Sequence, residues 1–138
     1  MAAGRDKDPL LRWGSGIVAV GALGLLAAAA AILPRQIDTG ARVGRHLVAG
    51  ALAIAALSAV EVLIALIPLR RGERWAFWAS AVPVAVVGVP VVIVDASYVP
   101  AGSLFATLVP QVLGLSICVV GLTLAGMALF RVPAGDSP

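Results

Sequence analysis

The sequence predicts an all-α integral membrane protein in which four transmembrane helices form a bundle joined by short loops. Composition is the first indication: 61% of the 138 residues are hydrophobic and only 12% are charged. So few polar side chains cannot cover a soluble globule of this size. The second indication is four apolar runs, each long enough to cross about 30 Å of hydrocarbon as a helix of about 20 residues.

Charge and cysteine content narrow the function classes. The net charge of +3 comes from 10 basic and 7 acidic residues, and the basic residues flank the apolar runs. That arrangement orients helices in a membrane, so no nucleic-acid partner is expected. A single cysteine, Cys118, excludes an internal disulfide and a CxxC redox pair. With only one histidine besides, we expect no metal site and no cofactor.

The chain is expected to form a single membrane domain over residues 1–138. The predicted spans are residues 13–33, 47–67, 75–94 and 104–130, with short polar tails at 1–12 and 131–138. The first run is longer than a signal-peptide core and lacks a polar cleavage region, so it is interpreted as an uncleaved span. Pro34 and Pro68 are expected to end the first two helices, and Ser103 to cap the fourth.

Basic residues near the span ends predict the orientation, because Arg and Lys are retained in the cytoplasm. The side that holds the termini has Arg5, Lys7, Arg12, Arg70, Arg71, Arg74 and Arg131. The other side has Arg35, Arg42 and Arg45. We therefore expect a multi-pass protein of a cell membrane, a bacterial inner membrane, with both termini in the cytoplasm.

The turn LRRGERW, between the second and third spans, is expected to anchor the protein at the membrane interface. Its anchors are Arg70, Arg71, Arg74, Trp75 and Trp78, which can meet anionic headgroups and the interfacial layer. The loop of residues 34–46, on the other side, carries both signs of charge and either covers that end of the bundle or is a solvated connector.

Glu61 is the main site candidate, because an ionisable residue inside a membrane helix is costly and should face protein or water. It lies six residues before Ile67, hence about 9 Å from the cytoplasmic boundary at about 1.5 Å per residue. At the same depth we expect Ser80 on the third span and Cys118 to Gly121 on the fourth. No basic residue is expected there, which favours an uncharged carboxyl able to hydrogen-bond or exchange a proton.

Small and polar residues share one face on two of the spans. On the second span this stripe comprises Leu47, Ala51, Ile54, Ser58, Glu61, Ala65 and Pro68; on the fourth it comprises Thr107, Gln111, Gly114, Cys118, Gly121 and Ala125. Close packing and hydrogen bonding drive helix association in lipid, so both stripes should face the interior, with Glu61 opposite Cys118 and Gly121. Gly14, Gly21 and Ala28 allow close approach of the first span as well.

Two prolines make the third span irregular. Pro83 and Pro90 are seven residues apart on one face, and each removes a backbone hydrogen bond. Such kinks can open a cavity or can be packing features. Asp95, with Tyr98, can line an outer entrance or simply end the helix.

The second span and the turn after it carry a family resemblance. Glu61 followed by LRRGERWAFWAS, mainly within residues 55–80, resembles the DoxX-like group of small four-span bacterial membrane proteins. The resemblance implies a compact four-helix bundle, often of unknown activity, which in some relatives is associated with oxidoreductase partners or lipophilic molecules.

Four functions fit this pattern, and the sequence leaves them open. The preferred one is binding of a small lipophilic molecule, or of an accessory partner, within the bundle near Glu61, with Ser58, Ser80, Gln111 and Cys118 as further candidate ligand contacts. A membrane enzyme of the isomerase, cyclase or epoxide hydrolase type can use Glu61 as general acid or base. A proton-coupled transporter and a structural or assembly protein are the other two. Besides the lipid bilayer, a homo-oligomer or a membrane partner protein is an expected partner.

Overall fold

A computed structural model describes residues 8–37, 42–98 and 104–131, and nearly all of them are helical. The helices are α1 (Pro9–Ile37), α2 (Arg42–Ile64), α3 (Arg74–Pro83), α4 (Val89–Tyr98) and α5 (Leu104–Phe130), with π-helical segments at Ala65–Leu69 and Val84–Gly88. The first π-helical segment continues α2, and the second joins α3 to α4. Within the described residues, four helical stretches are therefore long and apolar enough to cross a membrane, which confirms the predicted all-helical architecture and the predicted number of membrane-length helices. Ser103 lies outside the described residues.

The first helix is longer at both ends than predicted. The backbone N–H of Leu10 donates to Asp8 Oδ1 at 2.9 Å, so Asp8 is the N-cap and Pro9 occupies the first helical position. Residues 9–12 thus belong to the helix and not to a polar tail. Pro34 does not end the helix, because the φ angle of proline suits a helix and only one backbone hydrogen bond is lost. Residues 35–37 and 42–46, predicted as loop, extend α1 and α2.

The second span ends in a tight turn built around Gly72. Its φ of 78° is left-handed, which suits glycine. The N–H of Gly72 donates to Leu69 O at 3.0 Å and the N–H of Glu73 to Pro68 O at 3.1 Å, the two bonds of a Schellman motif. Pro68 therefore lies inside the last helical turn and does not end it.

The third span bends between its two prolines. The π-helical segment Val84–Gly88 lies between Pro83 and Pro90, and the N–H of Val89 donates to Val84 O, five residues back. Because Pro90 cannot donate to the carbonyl four residues earlier, the hydrogen-bond ladder is interrupted in this region. The helix continues past Asp95 to Tyr98, so Asp95 does not end it; its side chain is outside the described set.

The first helix is the centre of the bundle. It packs along both α2 and α5, whereas α2 and α5 make no comparable contact with each other in the described ranges. A Cβ on Gly121 would lie 2.6 Å from Val18 N and 2.8 Å from Gly14 O, so the backbones of α1 and α5 touch. The described members of the two predicted stripes are buried or half-buried and so face inward, but Gly121 lies against α1 and not opposite Glu61.

The third span is the most peripheral. In its most apolar window 6% of the residues are buried, against 44% for the first span. Along α4 it packs on α5 and makes no comparable contact with α2 within the described residues. The second and third spans therefore separate toward the α4 end and leave a cleft between them.

Candidate functional site

The cleft lies between the second, third and fourth spans, with α1 closing one side. Its cavity volume is about 70 Å³, and it is open along one side. Its walls are Ala22 and Leu25 of the first span, Ile54, Leu57, Ser58 and Glu61 of the second, Pro83, Val84, Val87, Gly88, Val91 and Val92 of the third, and Gln111, Leu115 and Cys118 of the fourth. Nearly all of these side chains are apolar, as in sites for lipophilic molecules.

In the part of the chain that the structure describes, Glu61 is the acidic residue that lines this cleft. Its side chain is 7% exposed, and its Oε1 atom is buried without a hydrogen-bond partner among the described residues. Among the described residues, no arginine, lysine or histidine lines the cleft. A buried oxygen with an unused hydrogen-bonding position, facing an apolar cavity, suits a ligand that brings one hydrogen-bonding group.

Ser80 lies beside the Glu61 carboxyl, as the depth estimate predicted. Its hydroxyl is fully buried, and no hydrogen bond to Ser80 Oγ forms within the described part of the chain. The residue is not part of the cleft wall. Ser80 is therefore a buried neighbour of the carboxyl, while a direct contact between Ser80 and a ligand stays a prediction.

Ser58 and Gln111 place polar groups at two levels of the cleft. Both are buried and both line it. Ser58 is one helical turn before Glu61, whereas Gln111 is two turns before Cys118, about 10 Å along α5. The cleft is therefore polar near Glu61 and again near Gln111, with apolar side chains between.

Cys118 connects helices and also borders the cleft. Its thiol donates to the backbone carbonyl of Val18 on α1 at a sulfur–oxygen distance of 3.7 Å. The side chain is 1% exposed and lines the cleft together with Glu61. This thiol contributes to the contact between α1 and α5, and its hydrogen is already used there.

Sequence reasoning missed most of the apolar wall. The π-helical segment contributes Val84, Val87 and Gly88, and α1 contributes Leu25. Apart from the spacing of Pro83 and Pro90, no local pattern distinguishes these valines from those that face outward. In the described residues, no three His, Cys, Asp or Glu side chains cluster as metal ligands.

The predicted interfacial anchors share one end of the molecule. This arginine end comprises Arg12, Arg70, Arg71, Arg74 and Arg131, all exposed. Trp75 and Trp78 are exposed beside it. The indole of Trp75 donates to Glu73 Oε2, and the guanidinium of Arg74 lies 5.6 Å from the centre of the Phe130 ring. Charged and aromatic groups thus form a belt at the ends of the spans, as an interface would require.

No family model, curated protein or solved structure matches this chain. The fold and the site define the class: a bundle of four apolar helices, each long enough to cross a membrane, with a cleft that opens to one side and holds a buried carboxyl.

Proposed function

We propose that this protein is an integral membrane protein that binds a small lipophilic molecule in the cleft, with Glu61 as its polar anchor. The unpartnered Oε1 of Glu61 on an apolar wall is the observation that carries the proposal. A hydrogen bond from a ligand would satisfy this atom, and the apolar walls would cover the rest of the molecule.

The ligand is proposed to be elongated and largely apolar, with a hydroxyl or carbonyl group near one end. That group would exchange a hydrogen bond with the Glu61 carboxyl, while the far end of the molecule would reach the level of Gln111, about 10 Å from Cys118 along α5. Apolar residues of the π-helical segment lie between the two levels.

The open side of the cleft supplies an entry path from the membrane. Because α4 and α2 make no comparable contact within the described residues, the gap between them faces the lipid when the four spans are inserted. A lipophilic molecule can then enter sideways, without crossing the polar ends of the bundle.

Binding is favoured over acid–base catalysis and transport for reasons of composition. Acid–base chemistry needs a second proton-transfer group, and no other carboxylate, histidine or lysine lines the cleft among the described residues. The aromatic walls expected of a multidrug transporter are likewise not found there. The cell-membrane location, with both termini in the cytoplasm, and a DoxX-like relationship are part of the same proposal.

A matched pair of variants on the third span tests binding. Val87 lines the cleft, whereas its neighbour Val86 is 65% exposed on the outer surface. Phenylalanine at position 87 would fill the cleft, and phenylalanine at position 86 would only enlarge the outer face.

The assay is mass spectrometry of organic extracts of the purified protein. We expect a lipophilic compound to co-purify with the wild type and with Val86→Phe, and to be lost from Val87→Phe. Extracts of the folded wild-type protein that contain only bulk membrane lipids, or equal retention by both variants, would rule out the cleft as a binding site.

A further inference from the structure

A second polar pocket lies at the arginine end, separate from the cleft. It is lined by Arg12 of α1, by Arg70 and Arg71 after the second span, and by Leu66 and Ile67. Arg12 is far from Arg70 and Arg71 in the sequence, but all three line one pocket because α1 begins where the second span ends.

The described residues that line the pocket carry positive charge only. No carboxylate lines it among the described residues, so three positive charges face one space. Like charges this close repel each other, and a bound anion would relieve the repulsion. The planar guanidinium group matches the oxygens of a phosphate, to which it can donate two parallel hydrogen bonds.

The apolar part of the pocket indicates what kind of phosphate it suits. Leu66 is 45% and Ile67 is 49% exposed, and both lie in the last turn of an apolar span. An amphiphile would place its charged group among the arginines and its chains along these two side chains. A soluble phosphate would use only the arginines.

We propose that this pocket binds the phosphate group of one anionic phospholipid. Arg12, Arg70 and Arg71 hold the phosphate, while Leu66 and Ile67 contact the acyl chains. The binding site is independent of the cleft and requires only that the four spans are inserted in a membrane.

Native mass spectrometry of the detergent-purified protein tests this site. The protein is titrated with phosphatidylglycerol, with phosphatidylcholine, and with glycerol phosphate as a soluble form of the headgroup. We expect the wild type to retain one phosphatidylglycerol at concentrations at which phosphatidylcholine is not retained, and glycerol phosphate not to displace it.

Arginine variants locate the binding site. Arg12→Gln and Arg71→Gln should each weaken phosphatidylglycerol binding by about tenfold or more, because each removes a charge-assisted hydrogen bond. Arg74→Gln is the matched control: Arg74 is in the same turn but outside the pocket, and its loss should weaken binding by no more than the roughly fivefold expected of a surface charge.

Three results would overturn the proposal. Equal retention of the two lipids by the wild type would show no preference for an anion, and this comparison needs no variant to fold. An Arg74→Gln effect as large as that of Arg12→Gln would show a diffuse basic surface. Displacement of the lipid by an equal concentration of glycerol phosphate would assign the site to a soluble phosphate.

Discussion

Replacement of Glu61 by leucine is expected to stabilise the ligand-free protein while removing the polar group of the site. Glu61 is 7% exposed, and its Oε1 is buried without a partner among the described residues. Such an atom costs about 1–3 kcal/mol of stability. Leucine has a similar size and no polar atom, so the free energy of unfolding should rise by about that amount. Glu61→Gln keeps a buried polar group at this position and should therefore not give this gain in stability.

The native cysteine supplies the assay. Cys118 is the sole cysteine of the chain and is 1% exposed, so a thiol-reactive dye can label it only when the helices separate. The experiment requires delipidated protein in detergent, because a bound ligand would stabilise the wild type by mass action. Helical circular dichroism provides a second probe, since Cys118 lies near the mutated residue.

The control lies on the outer surface of the same span. Val60 is 52% exposed, so Val60→Leu should leave stability within about 0.5 kcal/mol of the wild type. If Glu61→Leu instead destabilises the ligand-free protein by about 1 kcal/mol or more while the control does not, the carboxyl makes a stabilising bond between helices. The role of Glu61 would then be structural.

Two further predictions concern glycines. Gly121→Ala should destabilise the protein by about 1–3 kcal/mol, since its Cβ would lie 2.6 Å from Val18 N. Gly24→Ala is the control: its Cβ would have no atom within 4 Å, so the change should be neutral or stabilising by up to about 1 kcal/mol. Equal effects of the two variants in the dye assay would contradict the close contact of α1 and α5. Gly72→Ala should cost about 1–2 kcal/mol, because φ is 78° there, and should leave lipophile retention unchanged; an unaltered unfolding temperature would contradict this.

The inward orientation of Glu61 could be predicted because a carboxyl group that faces lipid is costly, whereas one that faces the other helices is less so. Ser58 and Glu61 share a face on the helical wheel, and both are buried as expected. The level of Ser80 followed from the rise of a helix and the short turn between the spans. These inferences depend only on local geometry and on the solvent around the helices.

The central position of α1 could not be predicted in the same way. Gly14 and Gly121 were recognised as points of close approach, but small residues on several helices do not specify which pair will touch. The contact between the backbones of α1 and α5 decides it, and this contact places Glu61 beside Cys118 and turns Gly121 away from it.

By itself, the sequence determined four apolar helices, their approximate ends and the inward-facing carboxyl, because hydropathy, helical periodicity and the cost of burying charge are local properties. Only the tertiary structure decided that the second and third spans separate, that the valines of the π-helical segment line the cleft, and that Arg12 meets Arg70 and Arg71. Those arrangements depend on which helices pack together. Several helix faces have similar chemistry, so the sequence of one helix does not specify which helix it packs against.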